Sequence, residues 1–397
     1  TVSGLGVHVE DVAHISVSGQ LALASLKSAT PLVDGRSWTA LKMGNVVVSG
    51  NVNLGLDGVT AQIAVDALDL NLASDSLNPT ATVARLDWTR AFDLDGDGAY
   101  DDLLDAGAEL PTPVDLAIDY DASLQLRVRG SLTGTDDYTY DHDFDGGEST
   151  ADVTIDNVIL RFGDVRLAGT AEFALVKRSV VADVDGAGTG SLLLNGELTS
   201  LALTVSGLGV HVEDVAHISV SGQLALASVT LSGQAVARYS AVKMGDVSVT
   251  GNVNLGLGEL TAEIVVKSLD MNSAPVGMTR LDWTHAFDLD GDGQYDDLLD
   301  PGAELPTPVD LAIDFASSLE FRLTGSFSGT GDYLGVDDDF DANTAAVDYH
   351  NVILRFGEVR ITGTAEFALV KRTVTADVDG AANGALLQNA SLLSLAL

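Results

Sequence analysis

The densest set of candidate ligands is Asp93-Leu94-Asp95-Gly96-Asp97-Gly98-Ala99-Tyr100-Asp101-Asp102. Calcium is a hard cation that takes about six to eight oxygens at ~2.4 Å. An Asp-x-Asp-x-Asp-Gly loop brings three carboxylates to one concave side, and a glycine in sixth place lets the chain turn sharply around an ion. The seventh position, Ala99, offers only its backbone carbonyl, so its side chain is free to vary. It does vary: the loop recurs at Asp288, Asp290, Asp292, Asp296 and Asp297 with Gln294 in place of Ala99. Leu104 and Leu299 stand where a closing acid is wanted, and Asp105 and Asp300 follow one step later. The closing ligand is left open among Asp102, Asp105, their counterparts Asp297 and Asp300, water and another segment.

Weaker candidates surround this one. Asp141, Asp143 and Asp145 repeat the spacing before Gly146; their counterparts Asp337, Asp339 and Asp341 precede Ala342, so the glycine is lost. A metal loop and an exposed acidic turn are equally open there. Asp183-Val184-Asp185-Gly186 and Asp377-Val378-Asp379-Gly380 read as turns. His8 with His14, and His211 with His217, are six apart, a spacing that places each pair on one face if the strand is continuous. They read as strand histidines rather than ligands. Trp88 and Trp283 are equivalent and precede the acidic loop, which suits a core or loop-anchoring role; with Trp38 they also offer surfaces for sugars. No Gly-x-Ser-x-Gly elbow, phosphate-binding loop or His-Glu-x-x-His occurs. The chain is therefore read as a non-enzyme.

The elements that must position these loops follow from an internal duplication. Thr1–Ser25 returns unchanged at Thr204–Ser228, and LDWTRAFDLDGDGAYDDLLD from Leu86 returns as LDWTHAFDLDGDGQYDDLLD from Leu281. NVILRFGDVRLAGTAEFALVKR from Asn157 returns from Asn351 with conservative changes. Two units, 1–203 and 204–397, cover the chain, and both close on Ser-Leu-Ala-Leu. That shared phase, together with a start at Thr1 without Met or signal peptide, is read as two periods excerpted from a longer array. No Pro/Ser-rich linker separates the units near Leu201–His211, so stiff continuity is expected.

Within each unit the apolar period is two, as in Ile15, Val17, Gly19, Leu21, Leu23 and in Val165, Leu167, Gly169, Ala171, Phe173. Mid-strand glycines at 19, 50, 130 and 169, with copies at Gly222, Gly251, Gly325 and Gly363, predict a bend, bulge or close backbone approach at each. Their uneven spacing argues against short identical coils. The expected fold is all-β: elongated tandem sheet or sandwich modules with glycine-bent strands, a coarser β-solenoid being the alternative. The best helical candidate is short, Tyr100–Leu104.

Composition limits the partners. The 397 residues carry 58 acidic and 20 basic side chains, a formal net charge of −38, and no cysteine. Such a chain lacks the clustered cations that nucleic acid or an anionic membrane requires. It must also offset its own repulsion, through bound divalent metal or a salty medium. No apolar run reaches the roughly 18 residues of a membrane helix.

The acidic loop resembles those of EF-hands, dockerins and thrombospondin type 3 repeats, departing from them at the closing position. Glycine-centred strands such as DVRLAGTAEFALVKR, long near-identical repeats, strong acidity and absent cysteine resemble the repeat regions of giant bacterial surface or secreted adhesin-type proteins. The nonapeptide Gly-Gly-x-Gly-x-Asp repeat is absent. The resemblance implies an extracellular, calcium-stabilised stalk or filament whose partners are neighbouring repeat units. Two further readings stay open: an adhesive module for a glycan or another cell, and a lipid carrier with an apolar groove.

Overall fold

The computed structural model describes all residues except 11–12, 32, 53–58, 141–152, 163, 185–192, 213–214, 232–237, 255–258, 337–345, 357–358 and 379–385. The alternating segments all become strands. The first unit holds β1 (Val2–Val9), β2 (Ala13–Lys27), β3 (Arg36–Val52), β4 (Val59–Asp75), β5 (Leu104–Asp105), β6 (Ala117–Ile118), β7 (Leu124–Gly134), β8 (Asp136–Tyr140), β9 (Val153–Phe162) and β10 (Val165–Asp183). β11 (Leu193–Val212) crosses the repeat boundary. The second unit adds β12 (Ala216–Leu231), β13 (Arg238–Asn254), β14 (Glu259–Ser273), β15 (Leu319–Gly329), β16 (Gly331–Val336), β17 (Val347–Phe356), β18 (Val359–Thr362), β19 (Thr364–Asp377) and β20 (Leu386–Ala396).

Of the architectures the sequence leaves open, the chain adopts one large antiparallel sheet. β1 through β4 run as a meander, β4 pairs with β7, and β7 with β10. β10 continues through β11, β12 and β13 to β14, then β15, β19 and β20. β9 lies end to end with β7, so that Leu160 faces both Val59 of β4 and Leu167 of β10. β17 does the same beside β14, through Leu260 and Leu354. The short pair β5–β6 stands apart from this sheet.

A row of irregularities crosses mid-sheet and keeps the side chains in phase. Ala168 faces Gly209 and Thr170 faces Ser206, so Gly207 and Leu208 together oppose Gly169. This β-bulge lets Leu201, Leu203, Val205, Leu208 and Val210 share one face; a regular strand would turn the last two to the other side. Gly169 holds φ 131°, and a Cβ there would lie 2.6 Å from Leu208 Cα. At Gly130 and Gly325 the constraint is close approach, to the carbonyl oxygens of Ala64 and Val265. Gly50 and Gly251 differ from expectation: a Cβ at these would meet nothing nearer than 3.5 Å, and they sit in ordinary strand, whereas Gly363 falls at the break between β18 and β19.

The two faces are unlike. One carries Ala22, Ala24, Ala40, Ala174, Ala202, Ala225 and Ala227, all buried. Their small side chains let an irregular segment lie close on the sheet, 76–123 in the first unit and 274–318 in the second. The buried clusters draw their strand residues from this face. The other face bears Leu21, Leu23, Leu208, Val210, Ile218 and Ile264, all exposed. Register aligns Leu203, Leu224, Met244, Leu269, Leu323, Leu369 and Leu395 into one apolar row across it.

Tyr100–Leu104 is not helical. Leu104 enters β5, and the one regular helical turn among the described residues is a 3-10 turn at Pro301–Glu304. Among those residues no helix is long and apolar enough to cross a membrane.

Candidate metal centre

Each acidic loop is held on the sheet by a tryptophan anchor. Trp88 is buried; its Nε1 donates to Asn71 Oδ1 at 3.1 Å. Asn71 Nδ2 in turn donates to the carbonyls of Leu86 and Asp121 at 2.9 and 3.0 Å. The Trp88 amide donates to Tyr120 O at 3.1 Å. In the second unit Trp283, Asn272, Leu281 and Ala316 repeat the arrangement, Trp283 Nε1 reaching Asn272 Oδ1 at 3.1 Å. Both ends of the segment are thereby tied to one buried strand amide. The loop-anchoring role expected of the tryptophans is met. Asn71 and Asn272 were not legible in advance, since an Asn inside an apolar alternation carries no signal of its partners.

Beyond the anchor the loop folds on its own carboxylates. Asp93 accepts from Gly96 N at 2.8 Å through Oδ1 and from Gly98 N at 3.1 Å through Oδ2. Asp102 Oδ2 accepts from Leu94 N and, at 3.0 Å, from Asp95 N. Asp95 and Asp97 each cap the amide two residues on, at 3.0 and 2.7 Å. Gly96 turns at φ 79°. One carboxylate oxygen from each of Asp93, Asp95 and Asp102 lies within 4.8 Å of the others, and Asp288, Asp290 and Asp297 form the same triad. The exposed rim and all-oxygen donor set suit a hard cation.

The expected ligands separate accordingly. Asp97 and Asp101, with Asp292 and Asp296, fall outside the 4.8 Å triads. Asp105 is engaged elsewhere: its Oδ1 accepts from Gly107 N at 2.8 Å and Leu116 N at 3.0 Å. Asp300 does the same for Gly302 and Leu311, both at 3.0 Å. Of the alternatives for closing the loop, Asp102 and Asp297 are the acids the fold brings to it. Asp141, Asp143, Asp145, Asp337, Asp339 and Asp341 lie outside the described residues.

The histidine pairs are placed differently from the one-strand geometry. His8 faces His14 across β1–β2, and His211 faces His217 across β11–β12, because a turn falls between them. His211 is buried against Tyr138, ring centroids 5.3 Å apart, and Arg166 lies over that tyrosine.

The second loop segment is seated across the repeat boundary. Trp283, Phe287 and Ile313 share a buried cluster with Ala182 and Leu198 of the first unit. Asp183 N donates to Ala286 O at 2.9 Å, Thr307 N and Oγ1 bond Glu172, and Arg178 meets Glu304 at 3.3 Å. No family model matches the chain, and neither a curated protein nor a solved structure matches it.

Proposed function

We propose that this chain is a structural repeat segment of a large extracellular bacterial surface protein, a stalk or filament stiffened by calcium in its acidic loops, with no catalytic role. The observation that carries the reading is β11: a single strand belongs to both units, and the second unit's loop segment packs on the first unit's strands. Units joined in this way share a core and bend as one body, unlike beads on a linker. Calcium at the Asp93–Asp95–Asp102 and Asp288–Asp290–Asp297 triads removes repulsion among carboxylates in a chain of net charge −38.

Thermal unfolding in EGTA, in millimolar calcium, and in sodium chloride of matched ionic strength tests the reading. A site filled at 100 times its Kd adds about 2.7 kcal/mol, and the expected rise of the midpoint is roughly 5 °C or more. Asp95→Asn with Asp290→Asn keeps the amide caps, removes one charge per loop and should abolish the gain. If sodium chloride alone reproduces it, calcium has no role and the acidity is an adaptation to salt.

The apolar row on the uncovered face favours a second reading, that of a lipid carrier. The row is half-buried, and exposed Leu21, Leu23, Leu208, Val210, Ile218 and Ile264 share its face; large exposed apolar patches mark binding surfaces. Under this reading a fluorescent fatty-acid probe binds saturably, and Leu224→Glu with Leu269→Glu abolishes binding. Absence of saturable uptake removes the lipid reading and leaves the structural one.

A further inference from the structure

We propose that the uncovered apolar face of the sheet is an interface, and that its occupant is a second copy of this chain, packed face to face as the second sheet of a sandwich. The proposal rests on the structural reading above, and it gives to a second copy the face that the lipid reading gives to a lipid.

The face belongs to the interior of the sheet. On β11 it presents Leu201, Leu203, Val205, Leu208 and Val210, and β12 sets Leu226, Leu224, Val220 and Ile218 beside them. In the first unit Leu23, Leu21 and Val17 of β2 stand opposite Leu41, Met43 and Val48 of β3. Pairing carries the pattern through β4, β7 and β10 to β11, and from β12 through β13 and β14 to β15. A neighbouring repeat adds strands at an edge, in the plane of the sheet, as β12 follows β11. It therefore lengthens this face and does not cover it.

A sheet with an apolar face buries that face against another layer. The loop segments supply such a layer on the alanine-bearing face, from which the buried clusters draw their strand residues. On the opposite face Val210 remains 44% exposed and Ile218 46%. The ten strands from β2 to β15 that pair in this order, spaced about 4.8 Å apart with about 25 Å of apolar length each, offer on the order of 1,200 Å² per copy. A stable interface needs about 800 Å² from each partner.

The margin favours a second copy over a lipid. A surface that meets its own copy brings like charges together unless its rim is neutral. Below the leucines Thr199, Ser228, Ser240 and Ser273 align across four strands, and Lys177 is neutralised by Glu197 at 2.8 Å. An ionic lipid headgroup would call for an unpaired charge there, whereas an apolar centre with a polar rim is the anatomy of a protein interface. The acidic loops ride on the other face, so two copies can approach without setting those carboxylates against each other. Two such sheets stack about 10 Å apart. The same surface is used on both copies, so the contact is isologous.

Sedimentation velocity of the full chain, from low to high micromolar, tests the proposal. The expected result is a monomer–dimer equilibrium. Val210→Asp with Ile218→Asp, a facing pair at exposed positions, should weaken it by about tenfold or more with unchanged strand content by circular dichroism. The chain has no cysteine, so an introduced one maps the contact. Ile218→Cys and Ile264→Cys, on interior strands, should lose reactivity toward a water-soluble thiol reagent as the dimer fills. Leu298→Cys, exposed on the loop segment, should react alike at every concentration. A chain that stays monomeric, or a dimer in which Ile218→Cys and Ile264→Cys keep their reactivity, overturns the proposal. So does a monomer that carries co-purified lipid, which would assign the face to the lipid reading. Monomers whose midpoint still rises with calcium would sink the pairing and spare the structural reading; a dimer without a calcium effect would do the reverse.

Discussion

Trp283→Ala should destabilise the chain by about 3–5 kcal/mol. The indole is fully buried beside Phe287, its ring centroid 5.8 Å away, in a cluster that also holds Leu281, Ile313, Phe315, Ala182 and Leu198. Truncation opens a cavity at the one place where the second loop segment, its own strands and the first unit's strands meet. It also strips the donor from Asn272 Oδ1, which is buried with the rest. Trp283→Phe separates the two effects: the ring volume is largely kept, and the remaining loss, about 1–3 kcal/mol, reports the orphaned amide. Trp88→Ala should cost less. Its cluster is smaller, and Phe92, its ring neighbour, is only partly buried where Phe287 is fully so. Urea titration followed by circular dichroism reads all three variants. Equal losses for Trp88→Ala and Trp283→Ala would contradict the unit-spanning cluster.

This asymmetry bears on what the sequence discloses. The strands were legible because Ile15, Val17, Leu21 and Leu23 alternate with period two, and that pattern has one physical meaning. Continuity through Leu201–His211 was legible because nothing there breaks a strand. The bulge that flips phase at Gly207 was not, since it depends on which residue of β10 stands opposite. The histidines show the same limit in another form: His8 and His14 do share a face, ring centroids 5.8 Å apart, but as a cross-strand pair of β1 and β2 and not along one continuous strand. In the acidic loop the triad's first two carboxylates came from local spacing. The third required knowing that Asp102 folds back onto the amides of Leu94 and Asp95 while Asp105 turns toward Leu116. Local chemistry shows in a sequence, and the identity of the neighbour across a turn or a sheet does not.

The ion pairs beneath the loop segments, each a buried aspartate with a partly exposed arginine, show the same dependence on neighbours, and they give the second large effect. Asp69 is fully buried; Arg127 reaches its Oδ2 through Nε at 2.8 Å and Nη2 at 2.7 Å, while Oδ1 accepts no hydrogen bond from the described residues. In the second unit Arg322 pairs with Asp270 Oδ2 through Nε, and Oδ1 again accepts no hydrogen bond from the described residues. Burial raises the Asp270 carboxyl above its ordinary value, and the Arg322 guanidinium opposes that rise. Arg322→Met leaves the carboxylate buried without its cation and should cost about 3–5 kcal/mol at pH 7. The sign with pH follows from the raised value. An acid whose pKa is higher folded than unfolded favours the fold below its unfolded value of 3.8 and loses that contribution as pH climbs through the folded value. The deficit of Arg322→Met should therefore shrink on acidification, as Asp270 takes up a proton and ceases to be a buried charge. Asp270→Leu combined with Arg322→Met removes both charges and should recover most of the loss at neutral pH. A double-mutant cycle in urea at pH 7 and at mildly acidic pH checks both statements. A deficit that does not change with pH would mean that Arg322 acts through packing of its stem rather than through its charge.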